Sequence, residues 1–128
     1  MRPYLILFAF LLIGFGISCK KDSLTNNLKG QWVRVDNRSD TVTFGFKDQD
    51  NWFELFRGYQ LGEDGILRPK IPLGIYEYKI KVRSILIHWS ASSSSTWPEY
   101  YFSLQGSEIE MGNFIDNTNP NIILEKIK

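Results

Sequence analysis

The chain has 128 residues, enough for one domain and too few for two ordinary ones, and its 43% apolar share argues against wholesale disorder. Fifteen basic and fourteen acidic residues give a formal net charge of +1, with no basic stripe to displace counterions from phosphates, so nucleic-acid binding is not expected. A single cysteine, Cys19, excludes an internal disulfide, and the 15% aromatic share favours strands, where stiff rings pack on a pleated surface.

Met1-Arg2-Pro3-Tyr4 is a short basic start, Leu5 to Gly14 (LILFAFLLIG) an apolar run, and Phe15-Gly16-Ile17-Ser18 brings small residues up to Cys19. This is the three-part layout of an export signal. From Pro3 to Ser18 the run is about sixteen residues, short of the roughly twenty needed to span a bilayer. A small residue ahead of a cysteine resembles a bacterial lipoprotein signal, with Gly16 standing where leucine is usual. Ser18-Cys19-Lys20-Lys21-Asp22 is similar to lipoproteins of the Bacteroidota. The resemblance implies cleavage before Cys19, a diacylglycerol on its sulfur and an acyl chain such as palmitate on the new amino terminus. It also implies an outer-membrane protein of the cell envelope, periplasmic or surface-exposed. Residues 1–18 are then a signal peptide, 19–29 a lipidated tether and 30–128 the folded domain. Removing the leader takes away Arg2 and no acid, which leaves the mature chain balanced in charge.

Beyond the tether the pattern is a short apolar or alternating run, a turn cluster, then another run, which predicts an all-β domain. Strands are expected at Gly30–Val35, Thr41–Phe46, Trp52–Tyr59, Gly74–Lys81, Ile85–Ser90, Tyr100–Leu104, Ser107–Asn113 and Ile122–Ile127. Val42, Phe44 and Phe46, alternating with Thr41, Thr43 and Gly45, give the clearest period of two. Ile66 to Pro72, with Pro69 and Pro72, reads as loop or edge, and Ser90 to Thr96 as a mobile serine-rich loop. Eight short strands in sequential order predict a small up-and-down barrel, with a β-sandwich as the alternative.

Leu28-Lys29-Gly30-Gln31-Trp32 resembles the opening of lipocalin-like domains, and Gly74-Ile75-Tyr76-Glu77-Tyr78 and Ile123-Leu124-Glu125-Lys126 look like small lipocalin-like lipoproteins of the Bacteroidota. The resemblance runs from about Leu28 to Lys126. It implies structural roles for Gly30 and Trp32, with the indole across the closed barrel end. The Thr-Asp-Tyr signature and closing disulfide of true lipocalins are absent.

Alternation points Val42, Phe44, Phe46, Tyr76, Tyr78, Ile85, Ile87, Trp89, Tyr100 and Phe102 inward. Among these Phe44, Tyr76, Tyr78, Trp89 and Phe102 are the candidate lining of a site for a small apolar or aromatic ligand. The other reading of the same rings is a filled core, since a barrel of eight strands is near the size that side chains alone can fill. Trp52 and Trp97 are expected at a rim, either folded back as core or free as a contact surface.

No catalytic constellation is legible. His88 is the only histidine and has no neighbouring metal donors, and the serines beside it do not form a nucleophile elbow. Glu108 and Glu110 alternate with Ile109 and Met111, which marks them as the solvated face of a strand. Neither an enzyme nor a cofactor is therefore expected. Two functions stay open: a membrane-anchored lipocalin-like barrel that binds a small ligand, and an inhibitor-like interaction module whose rim docks an envelope protein or glycan.

Overall fold

The structure, a computed structural model, describes Leu24 and residues 26–128. The signal peptide, the lipidation site Cys19 and most of the tether lie outside the described residues.

Ten strands form: β1 (Gly30–Arg34), β2 (Thr41–Phe44), β3 (Trp52–Phe56), β4 (Tyr59–Leu61), β5 (Leu67–Pro69), β6 (Gly74–Ile80), β7 (Ser84–Trp89), β8 (Glu99–Gln105), β9 (Glu108–Gly112) and β10 (Asn121–Lys126). Eight of them close into an antiparallel barrel in the order β1-β10-β9-β8-β7-β6-β3-β2. β1 pairs with β2 on one side and β10 on the other, so the sheet has no free edge and is not a sandwich. The eight expected strands are the eight barrel strands, each within a few residues. β4 and β5 form a separate two-stranded hairpin inserted between β3 and β6. Pro69 ends β5 on that hairpin, where a missing N–H does not interrupt the barrel ladder.

Two strands stop earlier than alternation suggests. β2 ends at Phe44 because Gly45 takes the left-handed conformation (φ 74°), followed by Lys47 (φ 53°) and Asp48 (φ 60°). Phe46, expected inward on a strand, therefore sits half-buried in a single 3-10 turn, Phe46–Asp48. β3 ends at Phe56 because the Arg57 side chain is drawn into the fold by Asp40 and by the Ile71 carbonyl.

The two ends of the barrel differ. At one, the short turns β2–β3, β6–β7 and β8–β9 meet the start of β1 and the C-terminal residues. Trp32 is fully buried there, its indole N–H donating to Leu28 O at 2.7 Å, and Lys126 Nζ stands 5.5 Å from the ring centroid. Lys128 O receives the Gln31 N–H, which brings the C-terminus over Gly30. Gly30 has φ 129°, and a β-carbon on it would run into the Lys128 carbonyl. This end is closed. The other end, the mouth, carries the four long connections: residues 35–40, 57–73, 90–98 and 113–120.

Alternate residues fill the interior. Phe44 and Phe53 (5.4 Å between centroids), Phe53 stacked on Tyr76 (5.1 Å, 11°) and Phe44 edge-on to Tyr78 (5.3 Å, 90°) form a continuous aromatic layer. Such pairs add to the burial of the rings themselves.

Candidate functional site

Binding residues are carried disproportionately by loops on a rigid frame, and here the long loops gather at the mouth. What fixes them is a buried charge cluster. Arg34, the last residue of β1, is only 1% exposed, and it points inward two positions beyond Trp32. Its guanidinium donates to Asp36 Oδ1 (2.6 Å), Asp40 Oδ2 (3.2 Å), Asp116 Oδ2 (2.8 Å) and Thr118 Oγ1 (2.9 Å). Arg57 completes the cluster through Asp40 Oδ1 (3.1 Å), Asp116 Oδ2 (3.4 Å) and the Ile71 carbonyl (2.9 Å). One guanidinium pair thus ties three of the four mouth loops to the barrel wall. Burial opposes the Arg34 charge, yet the Asp36 and Asp116 carboxylates outweigh it and raise its pKa. The Arg34 hydrogen bonds, with help from Thr118, hold the Asp116 carboxyl well below the usual carboxylate range, and Arg34 lowers that of Asp36 as well.

Asn113 braces the β9–β10 loop. Its side-chain oxygen accepts from the Ile115 and Asp116 N–H groups, both at 3.0 Å, and its amide donates to Asp116 Oδ1 at 2.8 Å. The bracing aims Phe114 back over the barrel. Its ring meets Phe53 (5.5 Å), Tyr76 (5.8 Å) and Tyr100 (6.1 Å) edge-on, as a partial plug. Beside the plug is a hollow of about 240 Å³ walled by Tyr76, Ile87, Trp89, Tyr100, Phe114 and the serine-rich loop. That loop, expected to be mobile, is laced to itself and to the barrel. Ser90 Oγ donates to Ile75 O (2.7 Å), Ser92 Oγ accepts from Ser94 N (3.1 Å), and Ser94 Oγ accepts from Thr96 N (3.2 Å). Short hydroxyls can satisfy backbone groups locally in this way.

The residues singled out by sequence divide between the two ends. Phe44, Tyr76, Tyr78 and Phe102 are buried and inward. Of these, Tyr76 reaches the hollow, while the Tyr78 hydroxyl is spent on Asp50 O (2.6 Å) in the β2–β3 turn at the closed end. Burial, and then Asp50, push the Tyr78 phenol up to about 12. Burial and the Tyr100 phenol raise Tyr76, against the opposing pull of Arg57. Trp89 is a correction: parity points it inward, but it is 48% exposed. It ends β7, where the strand has run out to the rim. The absent side chain at Gly74 leaves room for the indole, whose Nε1 would stand 3.1 Å from a β-carbon there. Trp89 still helps to wall the hollow.

Trp52 and Trp97 are both half-buried and do not share a rim, since Trp52 opens β3 at the closed end and Trp97 lies in the mouth loop before β8. Trp97 stacks on His88 (4.9 Å, 22°), with Lys79 Nζ 4.4 Å from its centroid. His88 Nε2 is 2.7 Å from Ser94 O, and Nδ1 is buried without a hydrogen-bond partner among the described residues. Glu108 and Glu110 are exposed on β9. Among the described residues no group of three or more His, Cys, Asp or Glu is placed to hold a metal, and no described helix is long and apolar enough to cross a membrane.

No family model, curated protein or solved structure matches this chain. Sequence reasoning missed Phe114 and Arg34. Phe114 is a lone aromatic in the polar stretch Gly112 to Asn121, which itself is a signal. Arg34 sits two positions beyond Trp32 on the inward face of β1, where a charge requires buried partners.

Proposed function

We propose that this protein is a lipocalin-like lipoprotein of the bacterial envelope, tethered through acylated Cys19, whose barrel mouth takes one small planar or aromatic ligand. The observation that carries the ligand reading is the aromatic-walled hollow beside the Phe114 plug, at the end where the long loops converge. Its volume, about 240 Å³, lies below the roughly 300–1,000 Å³ of pockets that hold drug-sized molecules, so the ligand is smaller than these. Ring faces and edges supply the contact, and the Tyr76 and Tyr100 phenols supply polar atoms at its wall. The tether reading is supported by the leader, and intact-mass analysis of the native protein tests it: residues 1–18 missing and lipid mass added support it, and a free Cys19 thiol sinks it.

The ligand reading is tested by thermal-shift and tryptophan-fluorescence titration with indole and benzoate as probes. Stabilisation by either probe is expected. Ser92→Phe places a ring in the hollow at the cost of one loop hydrogen bond, and it should abolish the response while the free protein still unfolds cooperatively within a few degrees of the wild type. Indifference of the wild type to both probes and to a wider panel of small aromatics would remove the ligand from the proposal.

A second reading is favoured by the β4–β5 hairpin. Tyr59, Leu61, Ile66 and Leu67 on it, with Ile71 just beyond, are all exposed. Grouped apolar side chains on one protruding element mark a contact site for another protein. In this reading the barrel is scaffold and the hairpin docks an envelope protein. Co-purification of a single partner by the wild type but not by Leu61→Ser/Leu67→Ser supports it; identical recovery by both argues against it.

A further inference from the structure

The geometry points to the closed end of the barrel as a face that rests on an anionic lipid surface, with Val82 entering the interfacial layer. The inference deepens the tethered reading above and, for the direction of the tether, rests on it.

Leu24 lies against the β6–β7 turn, where it shares a groove of about 370 Å³ with Ile80, Lys81, Val82, Arg83 and Leu104. Four residues lie between Cys19 and Leu24, so the span, about five Cα steps, cannot exceed about 18 Å even fully extended. An acyl group on Cys19 therefore holds this end, and not the mouth, close to the headgroups.

Composition of the end fits that place. Val82 is 96% exposed at the tip of the turn, flanked by Lys81 and Arg83, and Ile127 is exposed at the same end, across the barrel. An apolar tip between two cations suits the boundary between headgroups and acyl chains. Lys29, Lys47, Lys126 and Lys128 share this end with Lys81 and Arg83, against Asp48, Asp50 and Glu108 in its turns and Glu99 and Glu125 on the adjoining wall. Two of the six cations have partial partners: Lys81 stands 3.7 Å from Glu99, and Lys126 donates to Asn27 O. The mouth is different. There Arg34 and Arg57 are neutralised by Asp36, Asp40 and Asp116, and Arg68 pairs with Asp64 at 2.6 Å. Among the described residues the turns of the closed end thus present unpaired cations, whereas the buried arginines of the mouth are neutralised. Attraction of a cation to an anionic leaflet is worth roughly fivefold in partitioning and fades over about 8 Å at physiological salt, so it selects which face meets the membrane.

The test uses residues 20–128, which contain the entire closed barrel and no acyl chain, sedimented with phosphatidylcholine vesicles with or without about one-third phosphatidylglycerol. Partitioning on the order of tenfold stronger to the anionic vesicles at low salt is expected, falling toward the neutral-vesicle level as salt approaches about 1 M. Lys81→Glu/Arg83→Glu and Val82→Asp should each lower anionic-vesicle binding by about fivefold or more, with melting temperatures unchanged because the side chains are exposed. Equal partitioning to both vesicle types, or a double charge reversal that binds like the wild type, overturns the inference. Failure of the tether itself is a separate result: it appears as an unmodified Cys19 thiol in the native mass and leaves the vesicle comparison as it stands.

Discussion

Arg34 shows what one side chain can decide. It is enclosed with Asp40, which is fully buried, and removing one partner of such a cluster leaves a desolvated charge behind. Arg34→Met is therefore expected to lower unfolding free energy by about 3 kcal/mol, read from urea denaturation, with Arg57 limiting the loss by retaining Asp40. The same cluster sets the acid behaviour. Asp36 and Asp116 are held below their ordinary value of 3.8, so the stability they contribute is complete above that pH and drains as pH falls toward their folded-state values. Urea midpoints should thus fall as the pH is lowered below about 4, and Asp116→Asn should flatten that fall. The exposed flank of Asp36, 45% open to water, keeps its own share small through screening. Gly30→Ala should cost on the order of 1–3 kcal/mol, from left-side backbone strain and the encroaching Lys128 carbonyl, as measured by the same denaturation.

At the scale of elements, the barrel strands were legible because each repeats a two-residue period bounded by turn chemistry: Val42 and Phe44 against Thr41 and Thr43, Ile85 and Ile87 against Leu86 and His88. Where strands stop was less so. β2 ends on the backbone angle of Gly45, and β3 on hydrogen bonds that Arg57 makes to groups far along the chain. Alternation also continues past the wall, which is why Trp89 read as interior although the wall ends beneath it. Of the β4–β5 hairpin, Tyr59 reads as the end of the strand before it and Ile66 to Pro72, with its two prolines, as loop or edge; strands of three residues are too short to establish a period. Its ladder joins no barrel strand, and Tyr59 faces Pro69 in register. Replacing residues 60–68 by a two-residue Asn-Gly turn should shift the melting temperature by no more than a few degrees, roughly the effect of ~1 kcal/mol in a domain of this size.

For the molecule as a whole, eight sequential strands left a barrel and a sandwich both open, and the pairing of β1 with β10 is what separates them. That pairing is a contact between the first and last strands, which no local pattern encodes. The mouth was half legible for a related reason. Tyr76 could be named from its own strand, whereas the hollow it borders exists only because Phe114 and the serine loop arrive there from distant sequence. Deleting residues 121–128 should expose the edges of β1 and β9 together, and size-exclusion chromatography should then show aggregates in place of a monomer-sized peak.

The seam between β1 and β10 also makes this chain nearly a ring with a single nick, since the Gln31 N–H already reaches the carbonyl of Lys128. A short linker could join Lys128 to Gly30, and the cut could be moved to the serine-rich stretch without unpairing any barrel strand. Such a permutant would carry its new ends at the opposite pole, so a reporter fused there would project from the mouth while the original seam stayed shut.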